Sequence, residues 1–145
     1  MYVGVQGIGT SKHELQFLTR HGVNHMDSGP DPGDLAALVK SREEAAAEGV
    51  DLEMIHISIA NSIVRGEDSK RDQDLDEICQ WIENAGKAGL RGLNYNFSTV
   101  SYQRTPTRYG RGDSAYSSFE FSKYDNEEPH DAAPVTRDEM FERIH

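Results

Sequence analysis

Gly22, Gly49 and Gly89 each stand between a helical stripe of apolar residues and a short apolar run that reads as a strand. This repeat constrains the fold more than any other feature. Residues 2–6 read as a short buried strand, with Gly7 and Gly9 opening the turn behind it. Ser11-Lys12-His13-Glu14 is a capping-box pattern, in which serine and glutamate side chains satisfy the first free N–H groups of a helix. That helix sends Leu15 and Leu18 toward a core, and Gly22 is placed to stop it. Residues 23–26 form a second strand, and residues 27–34 (DSGPDPGD) a turn cluster and helix start. Leu35, Leu38, Val39, Ala45 and Ala46 mark the second helix, which Gly49 ends. Residues 52–59 form a third strand and 61–69 a polar loop. Leu75, Ile78, Ile82 and Ala85 mark the third helix, closed by Gly89, and residues 90–97 form a fourth strand.

The order β-α-β-α-β-α-β implies a parallel sheet built by crossovers, so the fold class is α/β. A doubly wound sheet and a (β/α)8 barrel both begin this way. Gly4, Gly7 and Gly9 do not fit the G-x-G-x-x-G order, which argues against a dinucleotide site. Residues 98–135 read as one long loop, far beyond the usual connection of roughly 4–6 residues. Loops of that kind are lids or binding loops. Thr136-Arg137-Asp138-Glu139 is a second capping box, and the helix it opens reaches His145 after about two turns. The expectation is therefore a single stretch, 1–145, forming the N-terminal half of a TIM-barrel domain and supplying about the first four β/α units.

A net charge of −10 argues against nucleic acid and anionic membranes as partners. No apolar run approaches the ~18 residues of a membrane span, and residues 1–9 lack the layout of a signal peptide. A cytoplasmic location is expected. Cys79, the one cysteine, has no partner for an intramolecular disulfide and reads as an inert helix residue.

In parallel α/β sheets the working residues sit at the carboxyl ends of the strands and in the loops behind them. That rule selects Gln6 and Gly7, Met26 and Asp27, residues 56–61, and residues 95–111. His56 could bind a metal or shuttle protons; a hydrogen-bonded histidine lining the sheet is the alternative, and His25 poses the same choice. Asn94 and Asn96 share one face of a strand, with Tyr95 on the other. Tyr95 and Asn96 are candidate ligand contacts. Arg104, Arg108 and Arg111 could hold an anionic substrate with their guanidinium forks, or pair with acids in a solvated loop. Arg111-Gly112-Asp113 is also the adhesion tripeptide, a match that chance alone explains. No His/Cys/Asp/Glu spacing marks a metal site.

Tyr95-Asn96-Phe97 followed by Arg104-Thr105 resembles the mannonate dehydratase family. There the fourth strand ends in Tyr-Asn-Phe and runs into an Arg-Thr loop. The preceding helix and glycine (82–89) fit, as does the G-R-G-x-S-x-Y-S segment at 110–117. The resemblance implies a xylose-isomerase-like TIM barrel that dehydrates D-mannonate to 2-dehydro-3-deoxy-D-gluconate in hexuronate catabolism. It also implies a divalent metal, Mn2+ or Fe2+, whose ligands lie on later strands outside this chain. His56, Tyr95, Asn96, Arg104 and Arg111 are then the expected substrate contacts, the catalytic residues stay unknown, and the fragment alone is expected to be inactive. The first strand departs from the family's Arg-Trp step with Val3-Gly4-Val5-Gln6. A sugar isomerase or epimerase, or a truncated non-catalytic module, remains the alternative. Half a barrel leaves two strand edges unpaired, so a homo-oligomer is one expected assembly.

Overall fold

The computed structural model describes residues 2–66, 68–98, 104–124 and 135–144. Two compact units make up the chain, Met1–Phe97 and Ser98–His145.

The first unit is a parallel sheet with strands β1 (Gly4–Gln6), β2 (His25–Asp27), β3 (Asp51–Ser58) and β4 (Gly92–Asn96) in the order β1-β2-β3-β4. Helices α1 (Lys12–Arg20), α2 (Leu35–Ala47), α3 (Asn61–Arg65) and α4 (Asp68–Lys87) connect them. Both bonds of the Ser11–Glu14 capping box are present at the start of α1, and the Asp34 carboxylate caps α2. Gly22, Gly49 and Gly89 adopt φ of 75°, 80° and 78°. The next amide in each case, of Val23, Val50 or Leu90, reaches back to Leu18, Ala45 or Ala85. This is the left-handed helix closure for which glycine is suited. One closure, used three times, turns each helix back into a strand.

The core is a single layer between the helices and one sheet face. It contains Leu15, Leu18, Met26, Leu38, Val50, Leu52, Ile55 and Leu90. Leu52 aligns with Met26 and Ile55 with Leu93, so these positions share the helix-facing side. The opposite face carries Gln6, Asp27 and Met54 in register, then His56 beside Asn94 and Ser58 beside Asn96. A register shift at Met26/Asp27 makes Glu53 an extra residue in β3. Glu53 keeps the face of Asp51, two positions back, and the extra residue brings Met54 onto that face as well.

Three expectations change. The first strand is not buried: it shrinks to Gly4–Gln6, and Tyr2 and Val3 are 59% and 60% exposed. It is an outer strand, with only Val5 packed against the core. Residues 61–69 are not a loop throughout, since α3 occupies Asn61–Arg65 and buries Ser62, Ile63 and Val64. The stripe on α4 is only partly internal, with Ala85 buried and Ile82 more than half exposed.

In the second unit, residues 98–135 contain an antiparallel ribbon, β5 (Thr105–Tyr109) and β6 (Ala115–Ser118). Pro106 and Thr107 lie where the register slips by one residue, a place in a sheet that tolerates a proline without its N–H. The hairpin turn is closed by Gly110 N–H donating to the Ser114 carbonyl at 2.8 Å. Helix α5 (Arg137–Ile144) begins on the Thr136–Glu139 capping box foreseen above. Among the described residues, no helix is long and apolar enough to cross a membrane.

Candidate functional site

A cavity of about 440 Å3 opens at the carboxyl ends of β1, β2 and β3, lined by Gln6, Gly7, Asp27, Ser28, Gly29 and His56. Backbone geometry shapes it. Gly7 turns the chain away from β1 with φ 74°, and its amide donates to the Asp27 carbonyl at 3.3 Å. Gly29 brings the β2–α2 loop so close to β3 that an added Cβ would lie 2.6 Å from Ile55 Cγ2.

Asp27 is the centre of this arrangement. It ends β2 and is 8% exposed. Its Oδ2 accepts from Asn94 Nδ2 at 2.8 Å and from Gln6 Nε2 at 3.2 Å. Strands β1 and β4 thus clamp one oxygen of a carboxylate borne by the strand between them in space. Its Oδ1 is shielded from solvent and has no hydrogen-bond partner among the described residues. A buried acceptor left without a donor costs about 1–3 kcal/mol. Such a group in a native fold calls for a partner, whether a water, an ion or a ligand.

A second polar cluster lies at the other end of the same face. Arg91 donates to Glu53 at 2.6 Å and to Asp51 at 3.0 Å, while the Tyr2 hydroxyl donates to Glu53 at 3.3 Å. His25 Nδ1 approaches Glu53 to 3.1 Å without hydrogen-bond geometry, and its ring stacks on Tyr2 at 3.8 Å. His25, Asp51 and Glu53 bring ligand atoms within 4.8 Å of one another. The Arg91 guanidinium already compensates these carboxylates, and the cluster lies at the end of the sheet away from the carboxyl strand ends, where ligands of parallel α/β sheets bind. A divalent-metal centre does not fit the Asp27 cavity either. Among the described residues, Asp27 and His56 are the only ionisable side chains lining it, and a closed site takes more ligands than two.

The expected site residues fall into three groups. His56 lines the cavity, and Asn96 lies on the same sheet face, beside Ser58. Tyr95 aligns with Ile57 on the opposite, helix-facing side, where it is 49% exposed. Arg104 and Arg111 belong to the second unit, Arg104 just before β5 and Arg111 exposed in the hairpin turn. Arg108 forms an ion pair with Glu120. That carboxyl is pushed down to about 2 by Lys123, whose ammonium lies 2.9 Å away, and by Arg108. Cys79 is exposed on α4, away from the cavity.

The strand-end rule selects Gln6 and Asp27 among the working positions, and the alternation along β4 puts Asn94 on one face with Asn96, but the sequence does not show that the three meet. What marks them out is position: three hydrogen-bonding side chains that close strands on one sheet face.

No protein-family model matches the chain, and no curated protein does. The crystal structure of mannonate dehydratase from Streptococcus suis serotype2 matches it with a TM-score of 0.70 at 19% identity. The match covers 99% of this chain and 42% of that one, so the chain spans less than half the length of that enzyme. At this identity the likeness concerns the fold. The chain is a mixed α/β protein with a parallel four-stranded sheet, consistent with part of a TIM-barrel-like fold.

Proposed function

We propose that this chain supplies the substrate-binding strands of a sugar-acid dehydratase that converts D-mannonate to 2-dehydro-3-deoxy-D-gluconate. The observation that carries the reading is the Asp27 cavity, at the carboxyl ends of a parallel sheet in a chain whose fold a mannonate dehydratase matches over 99% of this chain and 42% of its own. The reaction takes the proton from C2 and the hydroxyl from C3, which leave together as water, and the resulting enol becomes the 2-ketone. In this proposal His56 and Asn96 contact the sugar hydroxyls. Arg104 and Arg111 hold the carboxylate, which suits a guanidinium fork. A divalent cation, Mn2+ or Fe2+, belongs to the proposal with its ligands outside this chain, because the residues lining the cavity do not make a centre for it. The reaction is assigned to hexuronate catabolism in the cytoplasm.

One observation favours a second reading. Among the described residues the cavity is lined by no lysine or arginine, which also suits a neutral sugar and hence an isomerase or epimerase. Incubating the full-length protein with D-mannonate and Mn2+ and following the product by NMR separates the two. Appearance of the 3-deoxy-2-keto acid supports the dehydratase. Unchanged mannonate, with a neutral hexose isomerised instead, overturns it. Arg104→Ala is expected to raise KM or lower kcat about tenfold or more, through loss of substrate positioning; unchanged kinetics would remove Arg104 from the site.

A further inference from the structure

Resting on the sugar-acid reading above, we infer that the Asp27 cavity receives the hydroxylated tail of the substrate, with one hydroxyl donating to Asp27 Oδ1, and that the substrate's carboxylate points away from it. Three observations carry this. Asp27 is more than nine-tenths buried, and its Oδ1 has no donor among the described residues. The cavity it lines has room for a small ligand, at about 440 Å3. Among the described residues the other side chains there are Gln6, Ser28 and His56, which mix donors with acceptors and carry no fixed positive charge.

An anion brought against Asp27 would meet a like charge with no cation among the described lining residues to offset it. A hydroxyl meets the complementary group. It donates to the empty Oδ1, and its own oxygen can accept from a neighbouring amide, hydroxyl or imidazole. The Gln6 and Asn94 amides hold Oδ2, so the carboxyl group is oriented before the ligand arrives. Asp27 lines the cavity, while Oδ1 itself is shielded from solvent. A small turn of the carboxyl group brings it to the hydroxyl, as polar contacts in empty sites commonly tighten on binding.

Asp27→Asn is the informative variant. The two amide donors on Oδ2 would select the carbonyl oxygen of the new side chain and turn its NH2 to the empty side. An acceptor would become a donor with almost no change in shape. The full-length protein and Asp27→Asn are titrated calorimetrically with D-mannonate, with its single-deoxy derivatives and with the neutral polyol D-mannitol. Asp27→Asn is expected to weaken D-mannonate about tenfold or more. One tail-deoxy derivative is expected to lose affinity on the wild type but not further on the variant, as a pairwise coupling requires. Asn94→Ala keeps the carboxylate but removes one of its anchors, and is the second variant should Asp27→Asn not fold. It is expected to weaken the same ligands roughly threefold.

Equal losses for every deoxy derivative on both proteins, or unchanged affinity in Asp27→Asn, overturn the inference even where the enzyme turns mannonate over. Coupling of Asp27 to a hydroxyl of mannonate or mannitol without any turnover supports the inference and overturns the dehydratase reading alone. Failure to bind either compound overturns both.

Discussion

Gly29 is a residue whose missing side chain shapes the cavity. A methyl group there would press on Ile55, a fully buried core side chain, at 2.6 Å. Gly29→Ala is expected to destabilise the protein by about 1–3 kcal/mol, the usual cost of overpacking. Chemical denaturation measures it, and an unchanged midpoint would mean that Ile55 gives way freely. At the opposite end of the sheet Glu53 has a side chain only 9% exposed, with Arg91 as its closest partner. Arg91→Ala leaves that carboxylate with His25 and the Tyr2 hydroxyl alone. The expected loss is about 1–3 kcal/mol, read from the same denaturation curves. A loss near zero would make the ion pair decorative, as exposed pairs often are. Single residues of this kind were the least legible in the sequence. The strand-end rule selects Asp27, but the glycine- and proline-rich cluster it opens gives no sign of its partners. Only pairing of β2 with its neighbours shows that Gln6 and Asn94, 21 and 67 residues away, meet on its carboxylate.

Elements defined by local rules were legible. Both capping boxes and all three glycine closures connect residues a few positions apart, so they could be placed before any tertiary structure was known. The helix α3 was not, because no side chain caps it and its residues are held by burial of Ser62, Ile63 and Val64. The β5–β6 ribbon was missed for a related reason. Pro106 and the register slip interrupt the alternation that would have announced a strand. That ribbon carries a prediction of its own. Lys123 and Arg108 hold the Glu120 carboxyl at about 2, against an ordinary 4.5. Because the folded value is the lower one, the stabilisation is complete above about 4.5 and is lost as pH falls from there toward about 2. Carboxyl NMR should give Glu120 a midpoint near the lower value, with Lys123→Ala and Arg108→Ala each moving it upward. A midpoint near 4.5 in the unaltered protein would show that the two ion pairs do not persist in solution.

At the scale of the molecule, the question is what completes the sheet. Among the described residues β1 and β4 each pair on one side only. Tyr2, Val3 and Tyr95, all at or near these outer strands, are about half exposed or more. Open, apolar edges of this kind are unstable in isolation, and natural sheets cover, blunt or close them. The barrel reading makes a definite demand here, which the match to 42% of a longer dehydratase motivates. In the full-length protein further parallel strands should pair with β1 and β4. The alternate amides of Gly92–Asn96 that do not bond to β3 should then be held in a ladder. Their hydrogen exchange should be slowed about a thousandfold or more relative to an unprotected chain, close to that of the β3 amides between two neighbours. The same protection should appear on the outer side of Gly4–Gln6. Mass-spectrometric exchange with site resolution distinguishes the outcomes. If the outward amides of β4 exchange as fast as the β5–β6 turn while β3 stays protected, the sheet is open. The barrel, and with it a closed active site above Asp27, would then have to be given up.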